Sequence, residues 1–207
     1  MNIKKFIAAQ LRKPSGLFGR LVTVRLLNLV NMPMNTLVLE ILQLQPDDHV
    51  LEVGFGGGDL IARMARIVTR GHITGVDFSN DALEVCRKRF DALIRIGIIE
   101  LHCASVDALP FDANTFTKLC TVNTIYFWRD PLAALSQIHR VLKKEGTLLV
   151  CFRPRVVMEK QAISRHGFRL FEPEEVKSLL LAAGFRDVML VFDQNRFGEC
   201  VVAEGTK

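Results

Sequence analysis

Apolar positions change period along this chain, and the changes mark its elements. From residue 46 onward, short apolar runs alternate with longer segments of helical spacing. The runs predict strands at 49–53, 72–77, 98–103, 118–123 and 147–153. The intervening segments predict helices at 58–69, at 81–96 (opened by Ser79 and Asn80), and from Asp130-Pro131 to Lys143, stopping before Gly146. Residues 154–171 read as irregular. A helix at 173–183 stops at Gly184, and strands at 187–192 and 199–203 flank a polar turn at 193–198, which predicts an antiparallel hairpin closing the sheet with an antiparallel edge. Alternating strands and helices predict an α/β fold, a parallel sheet covered by helices on both faces.

The first 45 residues are different. They read as helices broken at Pro14-Ser15-Gly16 and at Pro33, with Leu17, Leu21, Val24 and Leu27 at helical spacing. They are assigned as a helical cap or lid (1–45) over the edge of the sheet where such folds bind ligands, the main domain being 46–207. The run from Leu21 to Leu44 is strongly apolar, but Arg25, Asn28, Asn31, Pro33, Asn35 and Glu40 interrupt it, which argues against a membrane span.

At 207 residues, 49% apolar and 24% charged, the chain can bury a full core without disulfides or metal. That composition excludes disordered and low-complexity classes. The five cysteines (Cys86, Cys103, Cys120, Cys151, Cys200) form no CxxC pair, which argues against zinc ribbons and disulfide frameworks and predicts small buried hydrophobes in a reducing, cytoplasmic setting. No His/Asp/Glu set has ligand spacing, so no metal is expected. Lys4 and Lys5 precede only a short apolar run before Arg12-Lys13, so no secretory signal is read.

The net charge of +5 is uneven. Residues 1–39 carry six basic and no acidic side chains, while the rest of the chain carries 21 basic and 22 acidic ones. The basic arm is suited to an acidic substrate, to peripheral contact with an anionic membrane, or to nucleic acid, with a solvated helix face as the plain alternative.

The candidate chemistry centres on Glu52-Val-Gly54-Phe-Gly56-Gly-Gly58-Asp59, between a strand and a helix. Glycines there permit a sharp turn and close approach of a ligand to the backbone. A dinucleotide fingerprint starting at Gly54 needs glycine or alanine at 59, where Asp59 stands, and no GK[ST] of a phosphate-binding loop is present. Asp77 ends the second strand, 19 residues beyond Gly58, where an acid can accept from both ribose hydroxyls of a nucleoside.

These segments, with Gly75-Val-Asp77-Phe-Ser, Ala108-Leu-Pro-Phe111 and Arg140-Val-Leu-Lys-Lys-Glu-Gly146, resemble the class I S-adenosylmethionine-dependent methyltransferases. The small-molecule subgroup that includes the ubiquinone and menaquinone methyltransferases is the most similar, over roughly residues 45–205. The resemblance implies a Rossmann-like, doubly wound seven-stranded sheet, mostly parallel with an antiparallel last strand. It implies S-adenosyl-L-methionine as methyl donor, leaving S-adenosyl-L-homocysteine. Glu52 and Gly54 would lie near the methionine and ribose, Gly56 and Gly58 would give the donor room, Asp77 would hold the ribose, and Phe78 would flank the adenine. The family's usual adenine-binding Asp is replaced by Ser105, followed by Val106, with Asp107 two residues too late.

Asn123, ending a strand before Thr124-Ile-Tyr126-Phe-Trp128, falls where the family places donor-methionine and acceptor contacts. Asn123 with Tyr126 is similar to the Asn-Pro-Pro-Tyr motif of amino-methyltransferases, but both prolines are missing, which argues against that chemistry. Tyr126, and less so Trp128, are candidates for an acceptor pocket. If the nucleophile arrives protonated, His166 and Tyr126 are the candidate bases, while His102 and His139 read as structural. Arg153, Arg155, Arg165 and Arg169 could bind an acidic acceptor or be solvated. The expected acceptor is a small molecule, apolar or lipid-like. A nucleic-acid- or protein-modifying enzyme, supported only by the basic arm, and a non-catalytic donor-binding protein are the alternatives.

Overall fold

The computed structural model describes residues 24–207, side chains being described from residue 28. Most of the basic arm and the break expected at residues 14–16 lie outside the described residues.

Helix α1 (Val24–Leu42) is followed by β1 (His49–Val53), α2 (Asp59–Met64), β2 (His72–Asp77), α3 (Asn80–Arg89), α4 (Asp91–Arg95), β3 (Ile99–Cys103) and β4 (Phe116–Val122). Then come α5 (Pro131–Val141), β5 (Leu142–Phe152), the short α6 (Arg155–Met158), α7 (Pro173–Ala182), β6 (Arg186–Asn195) and β7 (Gly198–Thr206). The seven strands form one sheet in the order β3-β2-β1-β4-β5-β7-β6. All neighbours are parallel except β7, which runs antiparallel to both β5 and β6. The hairpin's antiparallel strand is therefore inside the sheet, and β6 forms the edge where an antiparallel edge was expected. Its hydrogen-bonded strands run to Asn195 and Gly198, so the turn is shorter than the polar stretch suggested.

Alternate strand residues enter two separate cores. Leu51, Val53, Leu148, Val150 and Phe152 face α5 and α7, whereas Val50, Leu149 and Cys151 face α1, α2 and α3. Four cysteines are buried, as expected of small apolar side chains, but Cys103 is exposed because β3 is an edge strand and Cys103 its last residue. His102 lies edge-on to Phe111 and His139 edge-on to Phe185, both outside the site described below.

The break expected at Pro33 does not occur. Proline removes one helical hydrogen bond and crowds the preceding turn, at a cost of about 3 kcal/mol. Burial of Met34, Val38 and Leu42 at four-residue spacing against β4, β5 and α2 offsets that cost. The carbonyl that loses its partner belongs to Leu29, which is half exposed and can be solvated. No helix among the described residues is long and apolar enough to cross a membrane.

Because α1 is held by a narrow apolar stripe, Leu42→Ala should lower the unfolding free energy by about 2–5 kcal/mol. Urea denaturation of the variant measures this.

Candidate active site

In this strand order the chain reverses direction across the sheet between β1 and β4, opening a crevice beyond their carboxyl ends. A cavity of about 330 Å³ lies there, a size suited to a small ligand. The loop after β1 forms its floor. Gly54 has φ of 79°, and a Cβ at that position would collide with Thr124 Cγ2, so a side chain is excluded both by conformation and by space. Gly58 has φ of 70°, and a Cβ there would stand 2.7 Å from the Phe90 ring.

The loop is pinned from three sides. Asp77 accepts from the Gly56 N–H through Oδ2 (2.9 Å) and from the Ser79 N–H through Oδ1 (2.9 Å), tying the end of β2 to the loop after β1. Arg89, from the end of α3, donates to the Gly57 carbonyl at 2.6 Å. The Cys86 thiol donates to the Gly56 carbonyl at 3.5 Å. Burial, with Glu52 nearby, pushes that thiol up to about 12, so it remains a proton donor.

Glu52 is buried beneath the loop with its Oε2 lacking a hydrogen-bond partner among the described residues. Burial first, then the carboxylates of Asp77 and Asp59, raise its pKa to about 8, opposed by a hydrogen bond from the Ile61 backbone. Asp59 is itself held by Arg63 at 2.9 Å and accepts from Asn35 Nδ2 at 3.0 Å. Three carboxylates thus converge on one loop, an arrangement that favours a cationic ligand with hydrogen-bond donors. S-adenosylmethionine, with its sulfonium, ammonium and ribose hydroxyls, fits that demand.

The structure gathers most of the predicted site residues. Glu52, Gly54, Gly56, Asp77, Phe78, Ser105, Val106 and Asn123 all line the cavity, and Gly58 shapes the loop from just behind it. Asp107 lines it as well, its carboxylate 3.2 Å from Ser105 Oγ, so the residue that spacing placed too late comes back through the short 3₁₀ turn Val106–Ala108.

The two candidate bases lie elsewhere. His166 sits in the turns that follow α6, outside the cavity wall. Tyr126 is buried and turned away from the cavity, its hydroxyl 2.5 Å from the Arg153 backbone nitrogen, and burial pushes its pKa up. Of the three aromatic residues after β4, Phe127 and Trp128 line the cavity, at the end of the 3₁₀ turn Ile125–Phe127. The arginine cluster also disperses: Arg153 is buried and donates to the Phe197 carbonyl, Arg155 pairs with Glu172 and Glu175, and Arg165 and Arg169 are exposed.

Missed by motif reading were Asn28, Asn31 and Asn35, which line the cavity from α1. Their signal was present in the sequence: three amides at spacings of three and four within an apolar helix share one face.

Comparison with known proteins agrees with this geometry. Residues 51–150 match the family described as a methyltransferase domain. The chain is 28% identical over 169 residues to the uncharacterized methyltransferase YdaC of Bacillus subtilis, covering 78% of this chain and 84% of that protein. It is 33% identical over 135 residues to the ubiquinone/menaquinone biosynthesis C-methyltransferase UbiE of Teredinibacter turnerae, covering 64% and 54%. The chain spans only about half the length of several other curated relatives. The solved structure of a SAM-dependent methyltransferase from Aquifex aeolicus has the same fold, with a TM-score of 0.70 at 20% identity over 83% of this chain and 88% of that one. Over residues 51–150 the chain thus matches a methyltransferase domain, and it is similar in sequence and in fold to S-adenosylmethionine-dependent methyltransferases of class I.

The raised pKa of Glu52 has a consequence for folding. A carboxyl whose pKa rises from 4.5 unfolded to about 8 folded contributes stability that is fully present below pH 4.5 and is lost as pH rises through 8. Glu52→Gln should therefore stabilise the ligand-free protein at pH 7 by on the order of 2 kcal/mol and flatten the decline between those limits. Denaturation across that pH range measures both.

Proposed function

We propose that this chain transfers a methyl group from S-adenosylmethionine to a small-molecule acceptor with an apolar or aromatic body. The observation that carries the reading is the composition of this crevice. Hydrogen-bonding groups for a nucleoside lie at the ends of β2 and β3, and Phe127 and Trp128 close the opposite wall after β4. The curated relatives support it: the name of the UbiE protein assigns it to quinone biosynthesis, and a Pyrenophora dematioidea protein, 31% identical, is named an O-methyltransferase.

In this reading Asp77, which holds the Gly56 and Ser79 N–H groups at the end of β2, accepts from the ribose hydroxyls. Phe78 lies along the adenine, and Ser105 and Val106 bound it, with the Asp107 carboxylate on the same stretch of wall to accept from its amino group. When bound, the donor supplies an already activated sulfonium methyl, so the reaction is an in-line displacement. The protein's tasks are to align the acceptor and to exclude water. Phe127 and Trp128 serve the second task by presenting apolar faces in place of solvent. Neither His166 nor Tyr126 lines the cavity, so in this reading neither acts as a base.

Asp77→Ala should weaken S-adenosylhomocysteine binding by about tenfold or more, roughly 1.4 kcal/mol, in calorimetry. Unchanged affinity would remove the ribose assignment. Incubation of the protein with radiolabelled donor and fractionated cell extract should put label in the small-molecule fraction. Label confined to RNA or protein would replace this reading with a macromolecular acceptor.

A further inference from the structure

One hydrogen-bond relay determines which atoms α1 presents to the cavity. It begins at a group that can only donate, the Arg153 backbone N–H, 2.5 Å from the Tyr126 hydroxyl oxygen. The hydroxyl proton is then directed to Asn123 Oδ1 at 3.0 Å, nearer than the Arg153 carbonyl at 3.3 Å. Asn123 therefore turns Nδ2 towards α1, where it donates to Asn31 Oδ1 at 2.9 Å and lies 3.1 Å from Met34 Sδ. The thioether accepts and cannot donate, so it enforces the same orientation. With its carbonyl oxygen engaged by Asn123, Asn31 offers the cavity its Nδ2, a pure donor.

One helical turn further on, the polarity reverses. Asn35 Nδ2 donates to Asp59 Oδ2 at 3.0 Å, and that carboxylate, already held by Arg63, can only accept. With Nδ2 turned to Asp59, Asn35 has its carbonyl oxygen on the other side of the amide to offer as an acceptor. Residues four apart share a helix face, so an N–H donor and a carbonyl acceptor stand about 5–6 Å apart on one wall. Asparagine is a poor helix former, and an apolar helix with three of them along the cavity places them there against its own propensity.

We propose that Asn31 and Asn35 hold the amino-acid end of S-adenosylmethionine, Asn31 donating to its carboxylate and Asn35, with the adjacent acids, receiving its ammonium. The proposal rests on the donor-site reading above and deepens it. Sheet order gives the direction: β2, which carries Asp77, and β4, which leads into Asn123, flank β1 on opposite sides. An adenosine on the β2 side directs the rest of the donor towards β4 and α1. Asp59 supplies negative charge at that end, and Asn31 supplies the donor that a carboxylate needs in such surroundings. Tyr126 enters as a positioning residue, which acts on the ligand only through the amide orientation of Asn123.

Two ligands separate this role from a structural one. S-adenosylhomocysteine and 5′-methylthioadenosine share adenosine and thioether, but only the first carries the amino-acid end. By calorimetry the wild-type protein should prefer S-adenosylhomocysteine. Asn31→Asp keeps the oxygen that accepts from Asn123 and replaces the amide N–H groups by negative charge. It should weaken S-adenosylhomocysteine by about tenfold or more and leave 5′-methylthioadenosine unchanged. Asn31→Leu, which adds no charge, should narrow the preference in the same direction and serves if the aspartate variant folds poorly. Equal weakening of both ligands, or an unchanged preference, would overturn the proposal. Wild-type protein that binds neither ligand would overturn the donor-site reading itself.

Discussion

The Asp77 carboxylate sits at the junction on which the site depends. By accepting one backbone N–H from the loop after β1 and another from the residue that caps α3, it locks two adjacent strand ends into one surface. Such charge-assisted bonds are among the stronger hydrogen bonds in a protein, and here they shape backbone that would otherwise be free to move. The same placement brings negative charge close to Glu52, and with Asp59 it makes the buried carboxyl unwilling to ionise. The site thus combines a glycine loop pinned by hydrogen bonds with an electrostatic demand for a cation. A sulfonium donor meets that demand, and the loop's lack of side chains lets it come close.

Helix α1 completes the enclosure by a different kind of bonding. Its apolar stripe of Met34, Val38 and Leu42 supplies adhesion to the sheet, while its amides supply direction, linking to Asn123 after β4 and to Asp59 at the start of α2. Asn123 itself adopts a left-handed backbone conformation, φ 57°, which asparagine tolerates better than most residues. Its N–H is bound to the Cys151 carbonyl of β5. Strand ends, helix wall and aromatic turn therefore share one hydrogen-bonded frame around the cavity.

Much of this was legible in the sequence because it rests on local rules. The starts and ends of β1 and β2 follow from apolar runs bounded by turn residues, and the glycine loop and Asp77 follow from spacing along adjacent segments. What sequence reading lost depends on tertiary geometry. Pro33 predicts a break, yet packing keeps α1 continuous. The helix predicted over 81–96 divides at Phe90, whose ring packs beneath Gly58. Tyr126, Phe127 and Trp128 look equivalent in sequence, but only Phe127 and Trp128 line the cavity, and Trp128 is at the same time buried in the core that holds Tyr126. His166 attracted a catalytic reading because it lies in an irregular segment, and irregularity says nothing about which way a segment faces. Strand insertion of β7 between β5 and β6 likewise leaves no mark in the hairpin's own residues.

The most direct test of the electrostatic account is calorimetric titration with S-adenosylmethionine at pH 7, repeated in buffers of different ionisation enthalpy. A cationic donor placed beside Glu52 favours its ionised form, so the account predicts saturable binding with net release of a proton, and release that disappears in Glu52→Gln. Binding without proton release, or no binding, would contradict it.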